Sequence, residues 1–220
     1  MRIELEFISV LAEWPLLVKG VAWTVGLTSV STVLGLLLGV ALAWARVHGN
    51  FTLRAFAGSY VEAIRNTPFI VQLFFIYFGL PALGLRLSPE LASIIAMVVN
   101  LSAYATEIIR AGIEATPKGQ IEAGMSLALT PGQIFVHVVL PPALRKVWPA
   151  LVSQIIIVML GSSVCGQIST EELSHAANLI QSRNFRAFEA FIIATLTYLT
   201  LAMALRRLLN WAGPRFLFGR

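Results

Sequence analysis

Charged side chains are scarce in this chain: Asp, Glu, Lys and Arg make up 12% of its 220 residues. Soluble domains carry about twice that share. Hydrophobic residues account for 57% instead, and the mean hydropathy is +0.80. The composition therefore predicts one compact membrane domain over residues 1–220 rather than a string of soluble modules. The net charge of +5 does not indicate a nucleic-acid partner.

Motifs of catalysis and metal binding are also lacking. The single cysteine, Cys165, cannot form an internal disulfide. No lysine follows a glycine, which excludes a phosphate-binding loop ending in Gly-Lys-Ser or Gly-Lys-Thr and that route to ATP binding. The three histidines fall in three separate segments with no carboxylate at ligand spacing. We therefore predict a non-enzymatic chain with no catalytic residue, no metal site and no cofactor of its own.

Apolar runs long enough to cross a bilayer occupy most of the chain. A spanning helix needs about 20 apolar residues. This criterion predicts an all-α membrane protein with five spans, at about 17–45, 55–80, 89–109, 147–165 and 187–208. Glu4, Glu6 and Glu13 precede the first run, so we interpret it as a retained helix and not a cleaved signal. No internal repeat is visible, which argues against a secondary transporter.

The basic residues are unevenly divided between the two sides of these spans. With the N-terminus outside, ten of them fall on the inner side: Arg46, Arg54, Arg110, Lys118, Arg145, Lys146, Arg206, Arg207, Arg215 and Arg220. Five fall outside: Arg2, Lys19, Arg86, Arg183 and Arg186. The outer side also holds most of the acids, including Glu4, Glu6 and Glu13. The positive-inside rule then predicts an outer N-terminus and a cytoplasmic C-terminus.

One long segment, residues 113–146, breaks the apolar pattern and is predicted to be cytoplasmic. It is amphipathic and contains four prolines. Residues 121–129 are typical of a short helix with small side chains that can approach another protein closely. Thr130 and Pro131 are typical of an N-cap and a first helical position, and Pro141-Pro142 is predicted to end that second helix. The two helices form either a knob for a soluble partner or a hairpin lying on the lipid.

Polar side chains within the spans are candidates for a substrate pathway, because burying them in lipid is costly. They are Glu62, Arg65, Asn66, Thr67, Gln72, Asn100, Tyr104, Glu107 and Gln154. Residues 66–68 are predicted to interrupt the second span. The alternative is structural: Glu62 with Arg65 and Glu107 with Arg110 would be ion pairs, and the glutamines would hold helices together. On the outer side, residues 169–178 are either a binding-protein contact or a solvated loop.

The cytoplasmic segment resembles the EAA motif of ABC importer permeases. That motif reads Glu-Ala-Ala, three residues, Gly, nine residues, Ile-x-Leu-Pro. This chain has Glu122-Ala123-Gly124, then Ala128, then Val138-x-Leu140-Pro141, with the spacing kept throughout. Gly124, Ala128 and Val138 depart from the motif by small changes in size.

The resemblance extends to the polar amino acid permeases over residues 18–210. Arg65-Asn66-Thr67-Pro68 and the run from Val71 to Pro81 resemble their second span. Residues 103–110 and Pro117-Lys118-Gly119-Gln120 resemble their third. Gly161-Ser162-Ser163 stands where many relatives have Lys-Asp-Thr, and Asn66 where many have Gly.

The resemblance implies a permease subunit of a type I ABC importer, of the histidine, glutamate, glutamine, arginine and opine type, in a bacterial cytoplasmic (inner) membrane. The implied partners are a second permease subunit, identical or paralogous, an ATPase dimer that uses ATP and Mg, and a soluble amino-acid-binding protein. The implied ATPase-coupling residues are Gly119, Glu122, Ala123, Gly124, Ala128, Val138, Leu140 and Pro141.

Two other classes remain as alternatives from the residues themselves. An integral membrane scaffold or enzyme would carry residues 113–146 as an interfacial hairpin and need no ATPase. A secondary carrier would transport its substrate alone, driven by an ion gradient. The importer requires a separate ATPase, and neither of these two alternatives does.

Overall fold

The computed structural model describes residues 5–217, so Arg2, Glu4 and Arg220, which entered the charge comparison, lie outside the described residues. All regular structure in this range is helical. In chain order the α-helices are α1 Phe7–Leu11, α2 Trp14–His48, α3 Phe51–Arg65, α4 Phe69–Phe74, α5 Pro89–Glu114, α6 Lys118–Ser126, α7 Pro131–Gln133, α8 Leu140–Gly161, α9 Leu173–Asn184 and α10 Ala187–Ala212. Four helical stretches are long and apolar enough to span a membrane, and a bent pair makes up to five. The expected all-α membrane fold is confirmed.

The first spanning helix, α2, packs closely along α5. Small buried residues recur on one face of α2, among them Gly20, Ser31, Gly35 and Gly39. A Cβ at Gly39 would lie 2.8 Å from Cβ of Ala105 on α5, which is closer than two carbons approach. The two backbones can therefore approach closely because Gly39 has no side chain.

The second span is broken rather than continuous. Helices α3 and α4 meet at an angle of 108° across residues 66–68. Pro68 precedes α4 as its N-cap and disfavours helical backbone at Thr67, so α3 ends at Arg65. The expected interruption is confirmed. After α4 the chain continues through a π turn, Phe75–Gly79, and a 3-10 turn, Leu80–Leu83.

The prediction that Pro141-Pro142 ends a separate helix is wrong. A single helical stretch runs from Pro131 to Ile168 and includes α7, a π segment Ile134–Val139, α8 and a 3-10 segment Ser162–Ile168. The two prolines occupy the first turn of α8, where a missing backbone N–H is tolerated. The π segment just before them widens the helix. The second helix predicted for the 113–146 segment is therefore one end of the fourth span.

The connection before the last span is also more ordered than a loop. Helix α9 occupies Leu173–Asn184, and Glu172 caps it by accepting hydrogen bonds from the backbone N–H groups of Ser174 and His175. The alternative of a solvated loop at residues 169–178 is wrong, because Glu172, Leu173 and Ala177 are fully buried. The last span is formed by α10.

Three apolar clusters make the core. The first cluster includes Ile109 of α5, Phe135 of the π segment, and Trp148 and Leu151 of α8. The second includes Leu27, Leu73, Leu101 and Val158, and a smaller third consists of Val10, Ile180 and Ala190. Because the first cluster contains residues of the 113–146 segment, that segment is part of the folded core and not an appended hairpin.

Candidate functional site

The cytoplasmic segment begins with α6, which ends in a tight left-handed turn. Ala128 has a φ of 55°. Its N–H donates to the carbonyl of Met125 at 2.9 Å, and the N–H of Leu129 donates to the carbonyl of Gly124 at 3.2 Å. These two bonds are the Schellman arrangement, in which glycine is the usual residue at the left-handed position. The left-handed backbone explains why the EAA motif has glycine at this position. This chain has alanine there and adopts the same conformation.

The following helix starts as the sequence predicts. The Thr130 side chain accepts from the N–H of Gln133, and the Gln133 side chain accepts from the N–H of Thr130, with Pro131 in the first turn. This capping box sets the angle between α6 and α7. Gly124 is buried where α6 contacts the helical stretch that begins with α7. A Cβ at Gly124 would lie only 3.1 Å from Cγ1 of Ile134, so the contact is close.

The residues of the motif fall into an outward set and an inward set. Gly119, Glu122 and Ala123 are exposed on α6. Val138 and Leu140 are partly buried against the first core cluster. Beside the outward set, Met125 and Leu127 are 62% and 74% exposed. We define the coupling face as Gly119, Glu122, Ala123, Met125 and Leu127; it combines one carboxylate with uncovered apolar side chains, as protein-binding surfaces do.

The break in the second span is bridged by the Gln72 side chain. Its Nε2 donates to the carbonyl of Ile64 at 2.7 Å, to the carbonyl of Thr67 at 3.0 Å and to Oγ1 of Thr67 at 2.9 Å. Its Oε1 accepts from Nδ2 of Asn100 on α5 at 3.1 Å. Three of the predicted pathway residues are thus in one hydrogen-bonded network that joins α3, α4 and α5.

The predicted pairing of Glu62 with Arg65 is wrong. Within residues 5–217 Glu62 forms no salt bridge, and the Arg65 guanidinium lies 5.3 Å from the ring centroid of Tyr104 instead. Asn66 donates from Nδ2 to the carbonyl of Glu62 at 2.9 Å. Glu62, Arg65 and Asn66 remain exposed on the surface of this single chain.

A second polar cluster is centred on Glu107. Its Oε2 lies 2.7 Å from Nη2 of Arg110, as the spacing predicts, and Oε1 lies 3.4 Å from Nη2 of Arg46 on α2. Arg110 also forms a salt bridge with Glu114, with 2.6 Å between its Nη1 and Oε1 of Glu114. Arg46 was not among the predicted residues. No spacing rule within one helix could have found it, because it comes from a different span.

Asn100 also borders a small cavity of about 160 Å³. Its other walls include Phe69, Met97, Ile157 and Gly161. Among the described residues, no charged side chain lines it. Gln154 is buried on α8, and within the described residues its side chain does not join the Gln72 network.

Comparison with known proteins places these features in one family. The family model "binding-protein-dependent transport system inner membrane component" matches residues 35–218. The L-cystine transport system permease protein TcyB of Bacillus subtilis (strain 168) is 40% identical over 171 residues, which cover 78% of this chain and 73% of that protein. The glutamine transport system permease protein GlnP of Escherichia coli (strain K12) is 34% identical over 198 residues, covering 89% and 90%.

Solved structures agree with the sequence comparison. A chain from a crystal structure of an amino acid ABC transporter with histidines superposes with a TM-score of 0.85 at 34% identity, covering 95% of this chain and 98% of that one. A chain of the inward-facing MetNI methionine ABC transporter gives a TM-score of 0.68 at 23% identity and supports the fold alone.

Proposed function

The chain belongs to the polar amino acid permeases of ATP-binding-cassette importers, and from this premise we propose that it moves an amino acid across the bacterial inner membrane using ATP hydrolysed by a separate subunit. ATP and Mg would be bound by that ATPase dimer and not by this chain. The chain itself is a multi-pass membrane subunit with a transport role.

The observation that carries this proposal is the coupling face on α6. A carboxylate at Glu122 and exposed apolar groups at Met125 and Leu127 protrude from a segment whose inner side is anchored in the core. An interfacial hairpin would have no need of a rigid, capped turn between its helices. A surface that must transmit force to the membrane helices requires that rigidity.

The proposed route of force runs along the fourth span. Because the helical stretch from Pro131 to Ile168 is continuous, a displacement of α6 by an ATPase would be passed to the outer end of the membrane helices. Phe135 also contacts the ring of His48 at the inner end of α2, with 5.7 Å between ring centroids. The motion would therefore reach the first span as well.

The proposed pathway lies along the broken second span. Glu62, Arg65, Asn66 and Thr67 are exposed at the break, and charged side chains are costly against lipid. A second permease chain, identical or paralogous, facing Arg65, Asn66 and Thr67 would remove these three side chains from lipid and complete a polar route, with Glu62 at its lipid-facing edge. Gln72, Asn100, Tyr104, Glu107 and Gln154 complete the proposed set of pathway residues. In this role Gln72 holds the break open and Glu107 forms the charged inner end.

The substrate class is suggested by the relatives. Their names include L-cystine and glutamine permeases, so we propose a polar amino acid delivered by a soluble binding protein on the outer side. The N-terminus would lie on that side and the C-terminus in the cytoplasm, as the distribution of basic residues favours.

The test is purification of the tagged chain from its own host in mild detergent, followed by mass spectrometry of what accompanies it. We expect a P-loop ATPase and a five-span permease, either the same chain or a paralogue. Glu122→Lys reverses the charge on the coupling face and should lose the ATPase while keeping the second permease. Glu90→Lys reverses an acid on the outer side and serves as the control.

ATP-driven uptake in reconstituted vesicles gives the second readout. Glu122→Lys should abolish it and Glu90→Lys should not. A wild-type chain that purifies without an ATPase and accumulates substrate from an ion gradient would instead establish the secondary carrier. Normal ATP-driven uptake by Glu122→Lys would overturn the assignment of the coupling face.

A further inference from the structure

A charged pocket lies between the inner end of the first span and the start of the second. It has a volume of about 290 Å³ and is lined by Arg46, Phe51, Arg54, Gly58, Ser59 and Glu62. It is separate from the coupling face on α6 and from the Gln72 network. Its position after His48, the last residue of α2, places it at the cytoplasmic surface of the bilayer under the orientation proposed above.

The floor of this pocket exists because residue 58 is glycine. A Cβ at Gly58 would collide with Nη1 of Arg46, so the guanidinium of Arg46 lies directly over the bare backbone. Arg46 already has a carboxylate partner, since its Nη2 is 3.4 Å from Oε1 of Glu107. Much of its charge is therefore compensated within the protein.

Arg54 and Glu62 are not compensated in this way. Both are exposed, both line the pocket, and within residues 5–217 neither forms a salt bridge, with each other or with any third residue. Within the described residues, the Arg54 side chain donates to the backbone carbonyl of Gly49, at 3.2 Å, and to no carboxylate. The pocket therefore presents one cation and one anion that are open to an outside partner of matching charges.

The surroundings of the pocket match the edge of a lipid bilayer. Phe51 is 88% exposed and Phe56 is 69% exposed, and both lie on α3 beside the basic residues. Aromatic and basic side chains near the end of a spanning helix are typical of the lipid headgroup region. Basic pockets between spanning helices on the cytoplasmic side bind lipid headgroups.

We propose that this pocket binds the headgroup of phosphatidylethanolamine from the cytoplasmic leaflet. The lipid phosphate would accept hydrogen bonds from Arg54, with Arg46 nearby, because a guanidinium suits phosphate geometry. The ammonium would donate to the Glu62 carboxylate. Phosphatidylcholine carries a quaternary nitrogen that cannot donate to Glu62, and phosphatidylglycerol has no cation for it. The pocket therefore selects a headgroup with one phosphate and one primary ammonium.

The test uses the full chain with its natural partner subunits, stripped of lipid in detergent and titrated with each of the three lipids. Native mass spectrometry counts the lipid retained on the complex. We expect retention of phosphatidylethanolamine to exceed that of phosphatidylcholine and phosphatidylglycerol several-fold. Arg54→Gln should lower it about tenfold, as expected for loss of a charge-assisted hydrogen bond. Glu62→Gln should abolish the preference over phosphatidylglycerol.

Arg145→Gln is the matched control, because Arg145 is another exposed arginine at the inner surface and lies outside the pocket. Gly58→Leu tests the pocket by volume rather than charge and should also lower retention. Equal retention of all three lipids, or equal loss in Arg54→Gln and Arg145→Gln, would overturn the proposal. Displacement of the lipid by free glutamine at millimolar concentration would assign the pocket to a soluble zwitterion instead and equally overturn it. None of these readouts requires transport, so they stand apart from the test of the proposed function.

Discussion

The side-chain amide of Gln72 donates to the backbone carbonyl of Ile64 at 2.7 Å, across the break that separates α3 from α4. The last carbonyls of a helix lack partners within it. A single glutamine thus satisfies two carbonyls at this break and ties it to Asn100. The polar residue that the sequence marks as a pathway candidate is also the residue that holds the second span in its bent form.

Replacing this glutamine should loosen the break. We expect Gln72→Leu to lower the free energy of unfolding by about 1–3 kcal/mol, because the hydrogen bonds of the Gln72 side chain to Ile64, Thr67 and Asn100 are lost. Gln154→Leu is a close control, since the two glutamines are 8% and 9% exposed and only Gln72 bridges the break. Thermal unfolding of the purified protein measures both. Equal destabilisation by the two changes would contradict the bridging role.

At the left-handed turn of Ala128 we expect a substitution to raise stability, because glycine suits the backbone conformation better than alanine. A φ of 55° costs an alanine about 1–2 kcal/mol. Glycine avoids this cost, but it loses more conformational entropy on folding, so the net gain is smaller. Ala128→Gly should therefore stabilise the turn by about 1 kcal/mol. Ala123→Gly lies in the interior of α6 and should destabilise by about the same amount. Hydrogen exchange of residues 118–129 reports the difference; slower exchange in both variants, or in neither, would refute the strain at Ala128.

Local chemistry explains which parts of the architecture are predictable from the chain. The break at residues 66–68 follows from Pro68, and the start of the second cytoplasmic helix follows from Thr130, Pro131 and Gln133. Each of these effects acts within a few residues. The same reasoning fails at Pro141-Pro142, because the π segment before them is set by the burial of Ile134, Phe135 and Val139 in the core.

Tertiary contacts explain what sequence patterns miss in the candidate sites. Glu171 and Glu172 are adjacent and identical, yet Glu171 is partly exposed beside Lys19 while Glu172 is fully buried. Arg46 joins Glu107 from another helix, and Arg65 turns to Tyr104 rather than to Glu62. These partners are set by how the helices pack against one another. A residue pattern along a single helix carries no information about that packing.

The close contact between α2 and α5 predicts sensitivity to a single methyl group. A Cβ at Gly39 would lie 2.8 Å from Cβ of Ala105, and neither atom belongs to a flexible side chain. Gly39→Ala should therefore push the helices apart and cost about 1–3 kcal/mol. Gly26→Ala on the same helix meets nothing within 4 Å and is the control. A Gly39→Ala protein as stable in thermal unfolding as Gly26→Ala would disprove the contact.

The buried carboxyl of Glu172 joins α9 to α10, and the next residue links α9 to α2. It accepts from the Tyr198 hydroxyl on α10 at 2.5 Å and from the N–H groups of Ser174 and His175. The next residue, Leu173, donates its N–H to Oγ1 of Thr24 on α2 at 3.2 Å. Burial raises the pKa of the Glu172 carboxyl above its ordinary value, and the hydrogen bonds offset only part of this rise.

This raised pKa predicts the direction in which pH changes stability. A carboxyl whose pKa is higher in the folded state stabilises the fold fully below its unfolded pKa of about 4.3 and loses that contribution as the pH rises through the folded value. The unfolding free energy of the wild type should therefore fall relative to that of Glu172→Gln as the pH is raised above about 4.3. Glu171→Gln removes the neighbouring carboxyl, which is partly exposed and paired with Lys19, and serves as the control for loss of one carboxyl. Thermal unfolding across the pH range measures all three proteins; parallel curves for wild type and Glu172→Gln would show that the buried carboxyl does not titrate with a raised pKa.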